Sequence, residues 1–290
     1  MIDLGFYLNG PSSYAHVAWG KSIAAVAGAG FTAIDVSASA GVRGALDSST
    51  FPGPDRDRLR AIADEHGLTV SAVVTHAGLA DTIQQGRPLD LEAAVDVAVD
   101  LRCPLVLVHI GGPATLPWRA ADLWESAVAH VRRACDHGAD RGVRVALDAV
   151  APDFLTPTPA DVRRFLEDVG RANVGWNFDP AYLALNGFGL EETVDLLGRW
   201  SCHAHIKDYR AADTPPWLIP GDGEMDHRPW AAALLGLDRP VVAAAEVIAR
   251  PRDLPERWSL ADACERSITT LRAALEAAGR ASRPGPGSGR

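Results

Sequence analysis

Apolar and polar positions alternate along the chain in a pattern that predicts repeated strand–helix units. Short apolar runs, typical of buried strands, are each followed by a longer segment in which apolar residues recur three or four positions apart, as in amphipathic helices. The predicted strands are Ile2–Tyr7, Phe31–Val36, Leu68–Val74, Leu105–Ile110, Val143–Val150, Val174–Phe178, Cys202–Ile206 and Val241–Val247. The predicted helices are Tyr14–Ala29, Pro54–Glu65, Leu89–Leu101, Ala120–Arg141, a helix that begins at Thr158-Pro159, Leu190–Leu197, Pro229–Leu235 and Leu260–Ala278.

The alternation indicates an α/β fold with a parallel sheet covered by helices, because its strands are apolar on both faces. Eight such units in 290 residues fit a (β/α)8 TIM barrel, a parallel eight-stranded barrel, better than an open sheet. No Gly-x-Gly-x-x-Gly follows the first strand, which weakens a dinucleotide-binding alternative. We expect one domain over residues 1–279 and a disordered tail over residues 280–290, which are rich in Gly, Pro, Ser and Arg.

Composition narrows the choice of partners. The net charge of −9 and the pI near 5.4 disfavour nucleic acid and anionic membranes, so we expect a small-molecule substrate. The four cysteines are scattered without a Cys-x-x-Cys pair, and we see neither a signal peptide nor a membrane span. These features predict a cytoplasmic protein and leave homo-oligomerisation open.

Polar residues stand where the predicted strands end, which is where barrels of this class place their chemistry. These residues are His76, His109, Asp148, Asp179, His205, Lys207 and Glu246. Oxygen and nitrogen ligands without a thiolate suit a divalent ion such as Mn²⁺, Mg²⁺, Co²⁺ or Zn²⁺. In the segment Ser201–Arg210, strand alternation puts His203, His205 and Lys207 on one face and Cys202, Ala204 and Ile206 on the other.

Each polar residue also has a structural alternative. His76 and His109 taken singly could be hydrogen-bonded core residues, and Asp179-Pro180 could be a turn that ends a strand. Asp148 and Glu246 are harder to explain in that way, because each lies in an apolar run where an unpaired carboxylate is rarely tolerated.

Several segments, in this order, resemble those of a known family. They are Leu147-Asp148, Pro157-Thr158-Pro159, Asn173–Pro180, His203–Asp208, Gly221-Asp222-Gly223 with Asp226, and Glu246. The chain resembles the xylose isomerase-like TIM barrels of the sugar phosphate isomerase/epimerase branch, from about Met1 to Ala278. This resemblance implies one divalent metal held by Asp148, Asp179, His205 and Glu246, with the first and last carboxylates as acid and base.

Two residues depart from the family pattern. Asp148 stands where the family usually has Glu, and Tyr182 stands where it commonly has a His that binds the substrate. Asp148 is one methylene shorter than Glu, so it can bind the metal yet fail to reach a substrate carbon. Both departures weaken the case for plain sugar epimerisation and leave the metal site intact.

The resulting hypothesis is a metal-dependent isomerase or epimerase of a sugar or another polyhydroxylated carbonyl compound, acting by proton transfer through an enediolate. Glu246 and Asp148 would move the proton. Lys207 would neutralise developing negative charge, or else form an ion pair with Asp208 or Asp226.

We expect the remaining histidine and aromatic candidates to line the substrate pocket. His76, His109 and Tyr182 would bind the substrate, and Trp176, with Trp19 and Trp217, would supply an apolar wall unless these rings pack in the core. The long loop from Asp208 to His227 would serve as a lid.

Three other functions stay open. A lyase or dehydratase on the same scaffold would share the proton abstraction and differ in the fate of the enolate. A DNA-repair endonuclease of the same fold would use His76 and His109 as zinc ligands, but Tyr182 and the net charge of −9 disfavour it. A barrel without metal could be a binding or scaffold subunit, since fold does not fix function.

Overall fold

The computed structural model describes residues 2–8, 18–39, 45–50, 52–75, 78–86, 90–111, 120–148, 151–214, 216–237, 239–247 and 259–281. Its strands are β1 Ile2–Leu8, β2 Ala33–Ser37, β3 Thr69–Thr75, β4 Leu105–His109, β5 Arg144–Asp148, β6 Val174–Phe178, β7 Ser201–Ile206, β8 Asp208–Tyr209, β9 Trp217–Leu218 and β10 Val241–Ala245. Its helices are α1 Trp19–Ala29, α2 Pro54–Glu65, α3 Leu79–Gln84, α4 Leu91–Asp100, α5 Ala120–Ala139, α6 Pro159–Val169, α7 Pro180–Leu185, α8 Leu190–Leu197, α9 Arg228–Leu235 and α10 Leu260–Ala281.

Eight parallel strands close into a barrel in the order β1, β10, β7, β6, β5, β4, β3, β2. This arrangement confirms the predicted (β/α)8 fold. The neighbours β5, β6, β7 and β10 therefore form one continuous half of the wall, and their carboxyl ends meet at one mouth. Within the described residues, no helix is long and apolar enough to cross a membrane.

Strand alternation divides the core into two layers. Outward-facing residues such as Phe6, Ile34 and Phe178 pack against the helices and belong to the large core cluster. Inward-facing residues fill the barrel interior in a smaller cluster, which consists of Tyr7, Ala72, Val74, Leu105, Leu107 and Ala146. Inward-facing polar residues share this interior, since Asp35 pairs in the sheet with Tyr7 on one side and with Ala72 on the other.

Local sequence signals position several elements as predicted. Thr158 caps α6 by accepting a hydrogen bond from the Asp161 amide, and Pro159 occupies the first turn. The αL residue Gly170, with φ of 59°, then ends this helix. Strand β6 has the predicted bounds of Val174–Phe178.

Four features differ from the sequence-based prediction. The six-residue helices α3 and α7 and the hairpin β8–β9 were not predicted, and α10 continues to Ala281, beyond the predicted end of the domain at residue 279. The predicted tail beyond Ala281 lies outside the described residues.

Cys202 packs against the interior cluster instead of sharing the outer face with Ala204 and Ile206. The strand register shifts between Trp176 and Asn177, which leaves Cys202 as an extra residue in the pairing and breaks the alternation there.

Candidate metal and active site

The four residues expected to bind a metal meet at the carboxyl-end mouth. Asp148 is the last residue of β5, Asp179 follows β6, His205 lies near the end of β7, and Glu246 follows β10. All four side chains are buried. Asp179 also acts as the N-cap of α7, since its Oδ1 accepts a hydrogen bond from the Tyr182 amide at 3.1 Å. One carboxylate oxygen of Asp179 is thus used structurally, and the other faces the site.

His205 presents one unpartnered nitrogen to the carboxylates. Its Nε2 lies 3.3 Å from Asp35 Oδ2, so Nε2 carries the proton in the neutral ring. Its buried Nδ1 has no hydrogen-bond partner among the described residues and lies 3.6 Å from Asp148 Oδ1 and 3.8 Å from Glu246 Oε2. A lone pair that faces two carboxylates is unfavourable unless a cation lies between them.

A buried polar cluster beneath His205 holds the ring in place. Asp35 accepts a hydrogen bond from Ser71 Oγ at 2.6 Å and lies 3.2 Å from His203 Nε2. The Tyr7 ring stacks on His205 with 5.2 Å between ring centroids and 7° between planes. A carboxylate that binds the far nitrogen of a metal-ligating His is the usual second partner of such a ligand.

Asp35, His203 and His205 also form a cluster whose ligand atoms lie within 4.8 Å of one another, a spacing that suits a metal ion. The contacts around this cluster are already satisfied, because His203 Nδ1 lies 2.9 Å from Asn177 Oδ1 and Asp35 binds Ser71 and both imidazoles. The unpartnered Nδ1 of His205 faces the opposite way, toward Asp148 and Glu246. The donor set that fits a divalent cation is therefore the one at the mouth.

Asn177 connects the lower cluster to Asp148. Its Nδ2 donates a hydrogen bond to Asp148 Oδ1 at 2.5 Å, and its Oδ1 faces His203 Nδ1. Asp148 thereby has a fixed orientation.

Lys207 is buried at the mouth and pairs with two of the four candidate ligands. Its ammonium donates to Asp179 Oδ2 and Glu246 Oε2. The same Nζ lies 4.8 Å from the centroid of the Tyr182 ring and 5.3 Å from that of the Trp217 ring. Asp208 and Asp226, the alternative partners considered for Lys207, pair with His227 and Arg228 instead.

Charge at the mouth is strongly coupled. Burial alone would raise the pKa of Asp148, but His205, His109 and Lys207 hold it well below its usual range. Burial raises the pKa of Asp179 to about 6, and the neighbouring Glu246 carboxylate adds to this rise. Burial opposes charge on His205, yet Glu246 and Asp148 raise its pKa well above the ordinary value. The site therefore concentrates positive charge at His205, either as a proton or as a metal ion.

An arc of partly exposed rings borders the mouth. His109 meets Phe154 edge-on at 5.0 Å, Phe154 lies 6.0 Å from Tyr182, and Tyr182 lies 4.6 Å from Trp217, measured between ring centroids. His109 ends β4 opposite Asp148, so the structure brings both His109 and Tyr182 to the site. Phe154 was not singled out from the sequence.

One predicted substrate residue, Trp176, stands apart from this group. Trp176 faces the helices and packs edge-on against Phe178 at 5.6 Å between ring centroids, so the structure does not bring it to the mouth. Its place in β6 explains the difference, because Gly175 and Asn177 are the residues of that strand that face inward. His76 lies outside the described residues.

Sequence reasoning missed Asp35 and Asn177 and assigned no role to His203. Asp35 lies in the apolar segment Phe31–Val36, and the argument used for Asp148 and Glu246 applies equally to it. Its partners His203 and His205 lie about 170 residues later, and only barrel closure brings them together.

Comparisons with known proteins place the chain in a family. A family model described as "Xylose isomerase-like TIM barrel" matches residues 23–261. Among curated proteins, none matches the sequence significantly. A solved L-ribulose 3-epimerase is 16% identical with a TM-score of 0.76, and the match covers 100% of both chains.

Two further solved structures share the fold. A D-allulose 3-epimerase from Methylomonas sp. is 20% identical with a TM-score of 0.71, covering 94% of this chain and 98% of that one. A xylose isomerase-like TIM barrel protein from Mycobacterium smegmatis in complex with magnesium is 18% identical with a TM-score of 0.66, covering 95% of this chain and 97% of that one. The family match spans most of the chain, and the closed barrel agrees with it. The chain therefore belongs to the xylose isomerase-like TIM barrel family.

Proposed function

We propose that the protein is a divalent-metal-dependent isomerase or epimerase of a sugar or related polyhydroxylated carbonyl compound. Asp148, Asp179, His205 and Glu246 would hold the metal. The observation that carries this proposal is the buried, unpartnered Nδ1 of His205 between the carboxylates of Asp148 and Glu246. The similarity to an L-ribulose 3-epimerase, and to a protein in complex with magnesium, supports the same conclusion.

When bound, the cation supplies Lewis-acid polarisation of the substrate carbonyl. Glu246 removes the proton from the adjacent carbon and can return it. Asp148, or a water molecule that it holds, serves the opposite face of that carbon. Asn177 holds Asp148 in the required orientation through the 2.5 Å hydrogen bond.

Lys207 and the aromatic arc complete the site. The Lys207 ammonium lies against Glu246 and can neutralise negative charge that develops on the substrate oxygen. His109 and Tyr182 present one polar atom each at the mouth, where they can orient hydroxyl groups. The partly exposed rings of Phe154 and Trp217 limit the access of water to the reacting carbon.

Solvent exchange tests the chemistry directly. The purified protein is incubated in D2O with Mn²⁺, Mg²⁺, Co²⁺ or Zn²⁺ and with ketoses that include D-allulose and L-ribulose. We expect metal-dependent deuterium incorporation next to the carbonyl and its loss in Glu246→Gln. The matched control is Asp226→Asn, which removes an exposed carboxylate that pairs with Arg228. Deuterium exchange that persists in Glu246→Gln would show that Glu246 is not the base that removes the proton.

Metal content is a separate test that does not require the substrate. We expect about one divalent ion per chain in the wild type and a loss of that ion in His205→Ala. If neither form binds metal after incubation with excess Mn²⁺ and Co²⁺, the proposal is wrong. Two or three zinc ions per chain would instead favour the endonuclease function.

One observation favours a lyase as the second candidate. Lys207 donates a hydrogen bond to Glu246, so an acid and a base lie side by side. Asp148, by contrast, is shorter than Glu and is hydrogen-bonded to Asn177, which makes it a weaker candidate for a second base. An elimination needs one base and one acid, and Lys207 could protonate the leaving group while Glu246 takes the proton. Release of water or another leaving group from a substrate that shows Glu246-dependent exchange would identify a lyase. Formation of an isomer would identify an epimerase or isomerase.

A further inference from the structure

A second cavity opens at the opposite mouth of the barrel. It has a volume of about 560 Å³ and is lined by residues from the beginnings of several strands, including Asp3 of β1, Leu105 of β4 and Val242 of β10. Its lining includes Ser71 and His203, which bond to Asp35 beneath His205, but none of the four candidate metal ligands. The cavity is therefore distinct from the proposed metal site, although the polar cluster connects the two.

Three guanidinium groups belong to the lining of this cavity, which we call the lower cavity. They come from Arg102 before β4, Arg144 at the start of β5 and Arg239 before β10. Among the described lining residues, Asp3 is the only carboxylate. Neither Arg102 nor Arg144 forms an ion pair or a side-chain hydrogen bond within the described part of the chain, and Arg239 donates only to the carbonyl oxygen of Arg199, at 2.6 Å. The lower cavity thus has an excess of unneutralised positive charge.

Arg144 points into the barrel. Strand alternation puts Arg144 on the same face of β5 as Ala146 and Asp148, while Val145 and Leu147 pack outward. Its side chain passes Gly175, where an added Cβ would lie 3.1 Å from Arg144 Cδ. The absence of a side chain at Gly175 makes room for this arginine.

The backbone at Arg102 supplies an independent observation. Arg102 has φ of 55°, in the left-handed region, and it is the only residue other than glycine with positive φ in the described chain. It ends α4, and the equivalent helix ends before β2, β3, β5 and β6 carry Gly30, Gly67, Gly142 and Gly170. An L-residue is less favourable than glycine in this conformation. The arginine at this position, where four equivalent helix ends carry glycine, indicates a role for its side chain.

We propose that the lower cavity binds a small anion that carries phosphate or carboxylate groups. Guanidinium groups bind both kinds of anion through paired, charge-assisted hydrogen bonds, and the cavity volume suits a small metabolite. Arg102 and Arg144 are the principal ligands, and Arg239 extends the same positive wall.

Calorimetric titration of the full chain tests this site with inorganic phosphate, diphosphate and tricarballylate at constant ionic strength. We expect one site per chain for at least one probe, and the preferred probe distinguishes a phosphate ligand from a carboxylate ligand. Arg102→Gly should weaken binding by about tenfold or more, the effect of losing one charge-assisted pair. It should not lower the unfolding temperature, because glycine relieves the left-handed backbone. Arg144→Gln should weaken binding to a similar extent.

The matched control is Arg58→Gln, which removes an exposed arginine of α2 with the same change in net charge. It should bind the probe as the wild type does. The proposal is wrong if no probe binds, or if Arg102→Gly and the control bind with equal affinity. Binding that is lost in Glu246→Gln and kept in Arg102→Gly would place the anion at the metal site and also overturn the proposal.

Cys202 provides a local probe. It lines the lower cavity and is half-buried, whereas Cys103, Cys135 and Cys264 are buried. Burial raises the pKa of the Cys202 thiol to about 11, so alkylation is best followed near pH 9. The bound anion should slow the alkylation of Cys202 in the wild type and not in Arg102→Gly. Equal protection in both would show that Arg102 does not hold the anion and would contradict the proposal.

Discussion

The chain has two lysines, Lys21 and Lys207. Lys21 lies exposed on α1, whereas Lys207 is buried. The single buried lysine therefore lies where a compact ammonium bridges Asp179 and Glu246. A guanidinium is wider and planar, and it could not occupy the same position between two carboxylates and two rings. Lysine is thus rare in this chain, and its one buried lysine pairs with two of the candidate metal ligands.

Replacement of Lys207 by Met should destabilise the metal-free protein. It leaves two buried carboxylates next to each other without their cation, and breaking a buried pair in this way costs about 3–5 kcal/mol in free energy of unfolding. Added Mn²⁺ should restore part of the loss, because the ion would neutralise the same carboxylates. Denaturant unfolding with and without Mn²⁺ measures both effects. Lys21→Met is the matched control and should change little. Equal stability of the two variants would contradict the importance of the pairing.

Asp35→Asn should weaken metal binding without removing any ligand. Asp35 holds Nε2 of His205, and the loss of such a partner typically lowers metal affinity 10- to 100-fold. Calorimetric titration with Mn²⁺ measures the change, and thermal unfolding checks that the variant is folded. Ser71→Ala is the control, since it removes the hydrogen bonds to Asp35 Oδ1 and to the Ile34 carbonyl oxygen but keeps the carboxylate. If the two variants bind Mn²⁺ equally well, Asp35 does not position the ligand.

At the scale of single residues, the sequence indicates the inward-facing carboxylates of Asp148 and Glu246 but not their pairings, and it does not single out Asp35. Asp148 and Glu246 stand out because each interrupts an apolar run. The link from Asp148 through Asn177 to His203 joins residues on three strands, and no local pattern encodes it. The prediction that Trp176 lines the substrate pocket rests on residue type alone. Trp176 precedes the inward-facing Asn177 in β6, so strand alternation turns its side chain outward.

The loop from Asp208 to His227 is organised by its first residue. The Asp208 carboxylate accepts hydrogen bonds from the backbone amides of Tyr209, Gly221 and Met225, at 2.8, 3.0 and 2.9 Å. It also lies 3.1 Å from His227 Nε2, whose Nδ1 accepts a hydrogen bond from Trp230 Nε1 at 2.9 Å. One buried carboxylate thereby connects both ends of the loop that carries Trp217.

Asp208→Asn should therefore lower stability in a pH-dependent manner. Burial would raise the pKa of Asp208, but the hydrogen bonds from His227 and the amides outweigh it and lower that pKa. A lowered native pKa adds stability above the unfolded value of about 4, and this contribution is lost as the pH falls through the native pKa. At pH 7 the variant should be less stable by about 2 kcal/mol, the value of hydrogen bonds to a charged group.

Denaturant unfolding of the wild type and of Asp208→Asn between pH 3 and pH 8 measures this dependence. The difference between them should narrow as the pH falls below about 4, the unfolded pKa, toward the lowered native pKa at which the folded wild-type carboxylate becomes protonated. Asp226→Asn is the control, because its carboxylate is exposed and pairs only with Arg228. A difference that stays constant across the range would show that charge on Asp208 does not stabilise the loop.

Strands and helices with a clear apolar pattern or clear terminal residues are easier to predict than six-residue helices. The bounds of Pro54–Glu65, Val174–Phe178 and Leu190–Leu197 follow directly from periodicity and terminal residues. The six-residue helix α7 begins at Asp179-Pro180, a dipeptide equally typical of a turn, and is too short for a periodic signal. The register shift that turns Cys202 inward depends on pairing between β6 and β7, which a single sequence does not show.

The two mouths of the barrel carry side chains of different charge, although the same strands supply both sets. Strand β5 begins with Arg144 at the lower cavity and ends with Asp148 at the metal site. Strand β7 likewise carries Cys202 at the lower cavity and His205 at the metal site. None of the four candidate ligands lines the lower cavity, so the positive charge at one end lies apart from the carboxylates at the other.

Metal binding should stabilise the molecule unevenly. The proposed ligands come from β5, β6, β7 and β10, which are neighbours in the barrel, whereas β2, β3 and β4 contribute none of them. An ion at about 100 times its dissociation constant adds about 2.7 kcal/mol to the free energy of unfolding. Hydrogen exchange followed by mass spectrometry, with and without Mn²⁺, should show added protection mainly in the ligand-bearing half. His205→Ala should show little change. Uniform protection around the barrel in the wild type, or the same protection in the variant, would mean that the ion binds elsewhere.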